Sequence, residues 1–340
     1  MNLKNSIFSL FLSLVSVGGN TTLNAQIPLP ATPPHGTQVS GQVTEGEKVS
    51  RFADYEEGFS QDVLILQILL ERLNLSSNCV DGHWGKKTEV ALMTWQLLNG
   101  KEATGIPTGE ILKELGNESD ALVLYTVTEE DRSDLTAIPA DWTARSKLSS
   151  MGYSTVQERL AEKGHASYRA VQQLNPSVSW PDPPAGTTVI LPNCDSPRSI
   201  RRKKAEIIRI SLSRRELTVF DKDGGLIALF PCTIARNKAK RPEGTLTVKN
   251  VAEKPTYLYD PKAYHAKNPD SSKLIIPPGP NNPVGMAWVG LSKQGYGIHG
   301  TPQPERIGEE ASMGCFRLAN WNAVKLSKMI RLGISILVEE

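Results

Sequence analysis

The apolar residues of this 340-residue chain change their period partway along it, and that change limits what it can fold into. Between Phe59 and Leu115 they recur at helical spacing. Val63, Leu66, Leu69, Leu70 and Leu73 follow a candidate cap at Ser60, and Val90, Ala91, Leu92, Trp95 and Leu98 follow Thr88. Ile111, Leu112 and Leu115 follow Thr108. From Ile207 onward the runs are strand-like: Ile207–Leu212, Glu216–Phe220, Leu226–Cys232, Thr245–Val248 and Leu332–Val338. Asp223-Gly224-Gly225 between the second and third is a hairpin signal. Only Asn322–Met329 is plainly helical in this second half. The length is more than one average domain holds, so more than one core is expected, the second mainly β and built as a sandwich or barrel. A net charge of +2, from 38 basic and 36 acidic residues, creates no overall field that would draw nucleic acid or anionic lipid.

The ends and joints of these patterns divide the chain. Residues 1–25 carry one lysine, an apolar run Ile7–Val15 and a small residue for cleavage at Ala25. That is the plan of a secretory signal, and the run is shorter than the roughly 20 residues a membrane-spanning helix needs. An exported protein with no membrane span after signal removal is expected, in the periplasm or cell wall. Residues 26–55, rich in Pro, Thr, Gly and Ser, read as a flexible linker, 56–118 as a three-helix domain and 195–204 as a solvated basic linker. Between them, 122–194 has the order strand, helix, helix, strand: Tyr125–Thr128, Val156–Lys163, Tyr168–Leu174 and Thr187–Leu191, with a long insertion, Glu129–Tyr153, after the first strand. In the first domain Asp81-Gly82 supplies a tight turn, Trp95 is a core residue, and His83 in the turn is solvated.

Four cysteines, at 79, 194, 232 and 315, are too few and scattered for a disulfide scaffold. Cys79 and Cys194 could pair in an oxidising compartment, but separate packed thiols are the preferred reading. A zinc site of Cys232, His265, His299 and Cys315 lacks the short paired spacings such sites use, so no metal is expected.

Cys315 has different surroundings. His299 and Cys315 lie sixteen residues apart, each in a glycine-containing loop: Tyr296-Gly297-Ile298-His299-Gly300-Thr301 and Ser312-Met313-Gly314-Cys315-Phe316-Arg317. That is enough chain to fold imidazole against thiol. A lone thiol, with a pKa of about 8.5, is mostly protonated at neutral pH; an imidazolium beside it draws it down and holds a nucleophilic thiolate. Gly314 can let the amides of Met313, Gly314 and Cys315 converge on one point, an arrangement suited to a tetrahedral oxyanion.

Several segments resemble known families. Leu69-Leu70, Asp81-Gly82-His83-Trp84-Gly85, Thr88, Ala91, Trp95-Gln96 and Gly105 resemble a peptidoglycan-binding three-helix module, which implies binding and not chemistry. Residues 122–194, with Leu174-Asn175-Pro176 and Ala185-Gly186-Thr187 at their joints, resemble a LysM-type glycan-holding module. Pro278–Gly285, Trp288, His299-Gly300-Thr301 and Ser312–Asn320 make residues 205–340 resemble the YkuD-type L,D-transpeptidase catalytic domain.

That resemblance implies Cys315 as nucleophile, His299 as general base and the Gly300 carbonyl as the third member orienting the ring. Ser312, Met313, Gly314, Arg317, Trp288 and Asn282 would line the oxyanion and substrate region. It also implies peptidoglycan stem peptides and glycan strands as partners, acyl transfer through a thioester and no cofactor. Met313 stands where members often carry His. Asn322 stands where Asp is common at a helix start, a position where Asn caps equally well. L,D-carboxypeptidase action, attachment of a protein to the wall and a non-catalytic peptidoglycan-binding scaffold are the alternatives.

Overall fold

The computed structural model describes residues 52, 54–195, 204–262 and 272–340, all within one compact unit. The expected signal, nearly all of both linkers and His265 lie outside the described residues. Among those described, no helix is long and apolar enough to cross a membrane.

Three helices open the chain: α1 (Gln61–Arg72), α2 (Lys86–Leu98) and α3 (Gly109–Leu115). The Ser60 and Thr108 hydroxyls cap α1 and α3 by accepting from the amides of Val63 and Ile111. α2 begins two residues before Thr88, at Lys86. Thr88 does not open the helix because its hydroxyl is taken by Gln67, whose Nε2 donates to it at 3.1 Å. The same Gln67 side chain accepts from the amides of Asp81 and Gly82, each at 2.9 Å, and so clamps the turn into α2 from inside the module. Gly82 adopts φ +71°, and a Cβ there would lie 2.5 Å from the Phe59 ring. That closeness half-buries His83 against the edge of Phe59 instead of leaving it solvated. Trp95 is buried in the core, as the pattern requires.

Next come β1 (Leu122–Thr126), the short helices α4 (Glu130–Ser133) and α5 (Trp142–Ser146) in the insertion, α6 (Val156–Lys163), α7 (Tyr168–Leu174) and β2 (Thr188–Pro192). β1 pairs antiparallel with β2, Leu124 opposite Ile190. The first strand ends at Thr126, earlier than its sequence suggests. The Asp131 carboxylate takes the Thr128 amide and hydroxyl and the Tyr125 hydroxyl, drawing Thr128 out of the ladder. Leu66, Leu69, Leu92 and Leu112 of the helices share one apolar core with Val156, Leu160, Val171 and Leu191. The two N-terminal segments therefore fold around a common interior.

The remainder is mainly β: β3 (Ile207–Ser211), β4 (Glu216–Phe220), β5 (Leu226–Pro231), β6 (Ile234–Ala235), β7 (Gly244–Glu253), β8 (Tyr257–Tyr259), β9 (Leu274–Ile276), β10 (Ala287–Leu291), β11 (Gly297–His299), β12 (Glu310–Ser312), β13 (Phe316–Arg317) and β14 (Ser335–Glu339). Eight of these form one sheet in the order β13-β11-β10-β7-β14-β3-β4-β5. The ten-residue β7 pairs with β14 through Gly244–Thr247 and with β10 from Val248 onward, the second pairing interrupted by a bulge. One strand thus serves two half-sheets and curls the sheet about a single core. Ile208, Val219, Phe230, Val248, Val289, Ile298, Phe316 and Val338 fill that core. Helix α8 (Asn320–Met329) packs on β7, β10 and β11.

Asn322 does not cap this helix. Its amide is buried and donates to Ser76 Oγ at 2.9 Å, tying the catalytic half to the helical module. Beside it the buried Glu71 of α1 meets His165 Nδ1 at 3.2 Å and Lys325 Nζ of α8 at 2.7 Å, while the His165 ring stacks on Trp321. Burial raises the Glu71 carboxyl, but the Lys325 ammonium and the His165 contact outweigh it and bring it down to about 2. Cys79, Cys194, Cys232 and Cys315 are four separate thiols.

Glu71→Gln leaves the Lys325 ammonium without its counter-charge at this junction and is expected to cost about 3 kcal/mol at pH 7, measured by urea unfolding. A carboxylate whose folded pKa lies below its unfolded value of about 4.3 stabilises above that pH and loses the contribution as pH falls toward 2. The gap between wild type and Glu71→Gln is therefore expected to narrow at pH 3.

Candidate active site

His299 ends a strand, not a loop, whereas Cys315 lies in the bend immediately before that strand's parallel neighbour. β11 and β13 run parallel, with Ile298 opposite Phe316 and His299 opposite Arg317. Strands of two and three residues are too short to show a period in sequence, which is why they resemble loops. Side chains alternate along a strand, so Ile298 and Phe316 enter the core while His299, Arg317 and Cys315 share the opposite face. Cys315 lies one step beyond the paired residues, beside Gly297, whose amide donates to the sulfur. Thiol and imidazole are thus diagonal neighbours across two strands.

β10 completes this face. Trp288 is opposite His299, and its indole stacks on the imidazole with ring centroids 5.6 Å apart. The same indole covers Gly297, where a Cβ would lie 2.5 Å from it. Glycine at 297 is what allows tryptophan and thiol to approach the same strand. His299 is buried, and its Nδ1 donates to the Gly300 carbonyl at 2.6 Å. That bond assigns the proton to Nδ1 and leaves Nε2 as the basic nitrogen. Leu318 donates to the His299 carbonyl at 2.8 Å, so the backbone on the far side of the ring is held as well.

The electrostatics differ from the ion pair expected of the sequence. Burial lowers the His299 imidazole to about 4; the Gly300 hydrogen bond opposes this and the Arg317 guanidinium adds to it. Burial raises the Cys315 thiol, opposed by the Gly297 amide and by Arg317. Neutral thiol beside neutral imidazole is the resting pair, because a dry site disfavours both charges. The sulfhydryl points to the Gly295 carbonyl at 3.6 Å.

The remaining sequence-predicted residues divide. Met313 is 48% exposed at the mouth of the site. Ser312 is buried, donates to the Cys315 carbonyl at 2.6 Å and accepts from the Gly314 amide at 3.2 Å. The Gly314 amide is therefore committed within the turn, and the expected convergence of three amides is not formed. Asn282 is fully buried and faces its own loop, donating to the Pro277 carbonyl at 2.7 Å and accepting from the Val284 amide at 2.9 Å. It shapes the loop and does not reach the thiol side. Arg317 is held in the sheet by exchanged backbone bonds with Thr233.

Two participants were not singled out from sequence. Gly285 adopts φ +62°, and a Cβ there would lie 2.6 Å from the Gly300 carbonyl carbon and overlap Asn320 Oδ1. Tyr296 sits under Gly314, 3.0 Å from where a Cβ would be. Both stood inside stretches already marked by sequence, Gly285 at the end of Pro278–Gly285 and Tyr296 at the start of Tyr296–Thr301, but nothing local gave either a role. Among the described residues no group of His, Cys, Asp and Glu side chains could hold a metal ion.

A buried imidazole with an oriented tautomer beside a half-exposed thiol, on the outer face of a curled sheet, defines a cysteine acyl-transfer domain. Residues 205–338 match the family model of the L,D-transpeptidase catalytic domain, YkuD, and residues 59–115 that of a putative peptidoglycan binding domain. This part of the chain is an L,D-transpeptidase catalytic domain of the YkuD type, an acyltransferase whose family works through a cysteine thioester.

Among curated relatives, the putative L,D-transpeptidase YkuD of Bacillus licheniformis is 27% identical over 53% of this chain and 90% of its own. The probable L,D-transpeptidase ErfK/SrfK of Escherichia coli is 28% identical over 44% of this chain and 47% of its own. The crystal structure of L,D-transpeptidase 3 from Mycobacterium tuberculosis overlaps at a TM-score of 0.33 and 19% identity, covering 40% of this chain and 61% of that one.

With the imidazole neutral above about pH 4 and the thiol raised, Cys315 is expected to react with iodoacetamide at a rate that keeps climbing into the alkaline range and shows no plateau between pH 5 and 8. Intact-mass kinetics with Cys315→Ala as background would show this. A plateau from pH 5 would reveal a preformed thiolate–imidazolium pair instead.

Proposed function

We propose that this protein transfers the acyl group of a peptidoglycan stem peptide through Cys315, forming 3→3 cross-links. The register that sets Cys315 and His299 on one sheet face, with His299 Nδ1 engaged by Gly300, carries the proposal. Cys315 Sγ attacks the carbonyl of the L-centred residue at position three of a donor tetrapeptide as His299 Nε2 takes its proton. The imidazolium gives that proton to the departing amine of the terminal D-amino acid, leaving a thioester. An imidazole lowered to about 4 makes a strong acid once protonated, so this second transfer is downhill.

A side-chain amine of a neighbouring stem then attacks the thioester, losing its proton to His299, and the thiol is regenerated. The amides of Met313 and Cys315 are the donors we assign to the oxyanion, Gly314 being engaged by Ser312. Arg317, whose charge lowers the thiol, favours the transient thiolate. Water in place of the amine would make the reaction a carboxypeptidase cleavage.

The N-terminal half supports binding of wall material. A cavity of about 560 Å³ lies where the turn before α2 meets α7 and the segment after His299, lined among others by His83, Trp84, Lys86, Lys87, Arg169 and Glu305. Its mix of aromatic, cationic and hydrogen-bonding groups suits glycan and peptide carboxylates. The antiparallel pair β1 and β2, with α6 and α7 between them in the chain, supports including a glycan-holding role for this segment in the proposal. With these partners the protein would work after export, in the periplasm or cell wall.

Incubated with a disaccharide-tetrapeptide, the wild type is expected to show an acyl adduct on Cys315 and cross-linked dimers by mass. Cys315→Ala is expected to show neither, with activity down at least 1,000-fold. Tripeptide without dimers would point to the carboxypeptidase, and retained sacculus binding without either product to a scaffold.

A further inference from the structure

The glycine whose carbonyl orients His299 packs against Asn320, and the Asn320 side chain is in turn held by a residue from outside the catalytic domain. Asn320, at the first turn of α8, is buried, and its Oδ1 accepts from the Met286 amide at 3.1 Å. The same oxygen lies against Gly300, where a Cβ would overlap it, while the Gly300 amide donates to Ala287 at 3.1 Å. Gly300 is therefore confined at its Cα by the Asn320 amide and at its N–H by the Ala287 carbonyl. The Asn320 Nδ2 donates to the Pro280 carbonyl at 3.2 Å and to Glu162 Oε2 at 3.0 Å. A backbone donor at one end and two acceptors at the other settle which end of the amide is oxygen.

Glu162 lies on α6, in the strand-helix-helix-strand segment. Burial and the neighbouring Glu158 charge raise its carboxyl to about 7, opposed by the hydrogen bonds it accepts from the Asn320 and Tyr153 side chains. The surrounding seam is tight: Met151 exchanges backbone bonds with Pro278 and Asn281, a Cβ at Gly279 would lie 2.5 Å from the Met151 carbonyl carbon, and Asn281 Nδ2 donates to Glu158 Oε1 at 2.7 Å. Glu158 thus anchors the same seam as Glu162 without touching Asn320.

We propose that Glu162 is a positioning residue for His299, acting through Asn320 and the Gly300 carbonyl, so that the accessory segment completes the active site and does more than bind wall material. The Glu162 acceptor pins the Asn320 amide; the pinned amide confines Gly300 at its Cα; the Gly300 carbonyl, so placed, sets the ring and its tautomer. Without Glu162 the amide keeps only the Pro280 carbonyl, and the base is free to rotate from the thiol. The inference rests on the proposed roles of His299 and Cys315.

The test uses the full-length protein and two readouts, turnover of the disaccharide-tetrapeptide and the rate of Cys315 alkylation by iodoacetamide from pH 5 to 10. Glu162→Ala is expected to lower kcat roughly 10- to 100-fold with KM within about twofold, and to shift the alkylation profile toward that of His299→Ala. Glu158→Ala, which loosens the same seam, is expected to leave both readouts within about threefold.

Asn320→Asp sets two carboxylates against each other and is expected to lose as much as Glu162→Ala. Adding Glu162→Gln to it restores a donor–acceptor pair and is expected to recover about tenfold, even if Glu162→Ala itself folds poorly. Unchanged kcat and alkylation in Glu162→Ala would overturn the inference, as would an equal loss in Glu158→Ala or no recovery in the double variant. Alkylation that responds to Glu162 in a protein making no peptide product would leave the positioning role standing and remove the transpeptidase reading instead.

Discussion

The parallel pairing of β11 with β13 is the constraint on which the site depends. Two registered pairs, Ile298 with Phe316 and His299 with Arg317, decide which side chains face the core and which face out. A slip of one residue would bury the imidazole among Val289 and Phe230 and expose Ile298, because alternation has a period of two. The core side of those strands is wholly apolar, and so register is enforced by burial and not by the chemistry it serves. Glycines at 297 and 300 belong to the same constraint: each stands where a neighbouring side chain, Trp288 or Asn320, occupies the space of a Cβ.

Burial that fixes the register also sets the charge state. Removing His299 from water depresses its basicity and removing Cys315 raises the thiol, so the resting pair is neutral and the proton moves during attack. The Gly300 carbonyl trims the first shift, and the Gly297 amide and the Arg317 guanidinium the second, without reversing either. A neutral pair is also easier to keep in a site covered by an indole than a thiolate–imidazolium pair would be, since separated charge there costs more than in water.

The N-terminal segments bear on that site through contacts of several kinds. A single apolar core joins the three helices to the strand-helix-helix-strand segment and reaches Leu229 of the catalytic sheet. The Glu71–Lys325 pair ties α8 to α1, the Asn322–Ser76 bond ties it to the segment after α1, and the Met151–Pro278 seam ties the insertion to the loop before β10. Binding modules attached in this way differ from beads on a string. Their packing determines the shape of the loop that carries Gly285 and so the position of Gly300.

Local periodicity carried much of this in the sequence itself. The spacing from Val63 to Leu70, the hydroxyl caps Ser60 and Thr108, helices α6 and α7, the Asp223–Gly225 hairpin and the glycine-flanked His299 and Cys315 all follow from rules that act within a turn or a pleat. What those rules could not reach is everything decided between distant segments. The glycine stretch around His299 becomes a strand and the one around Cys315 leads into one because β10 and the core lie beside them, Thr88 sits inside the first turn of α2 with its hydroxyl accepting from Gln67, and Asn322 turns from the helix end to Ser76. The protonation of the catalytic pair follows the same division: sequence identifies the thiol and the imidazole, and tertiary burial determines their charge, because solvation is set by what packs around a group and not by its neighbours along the chain.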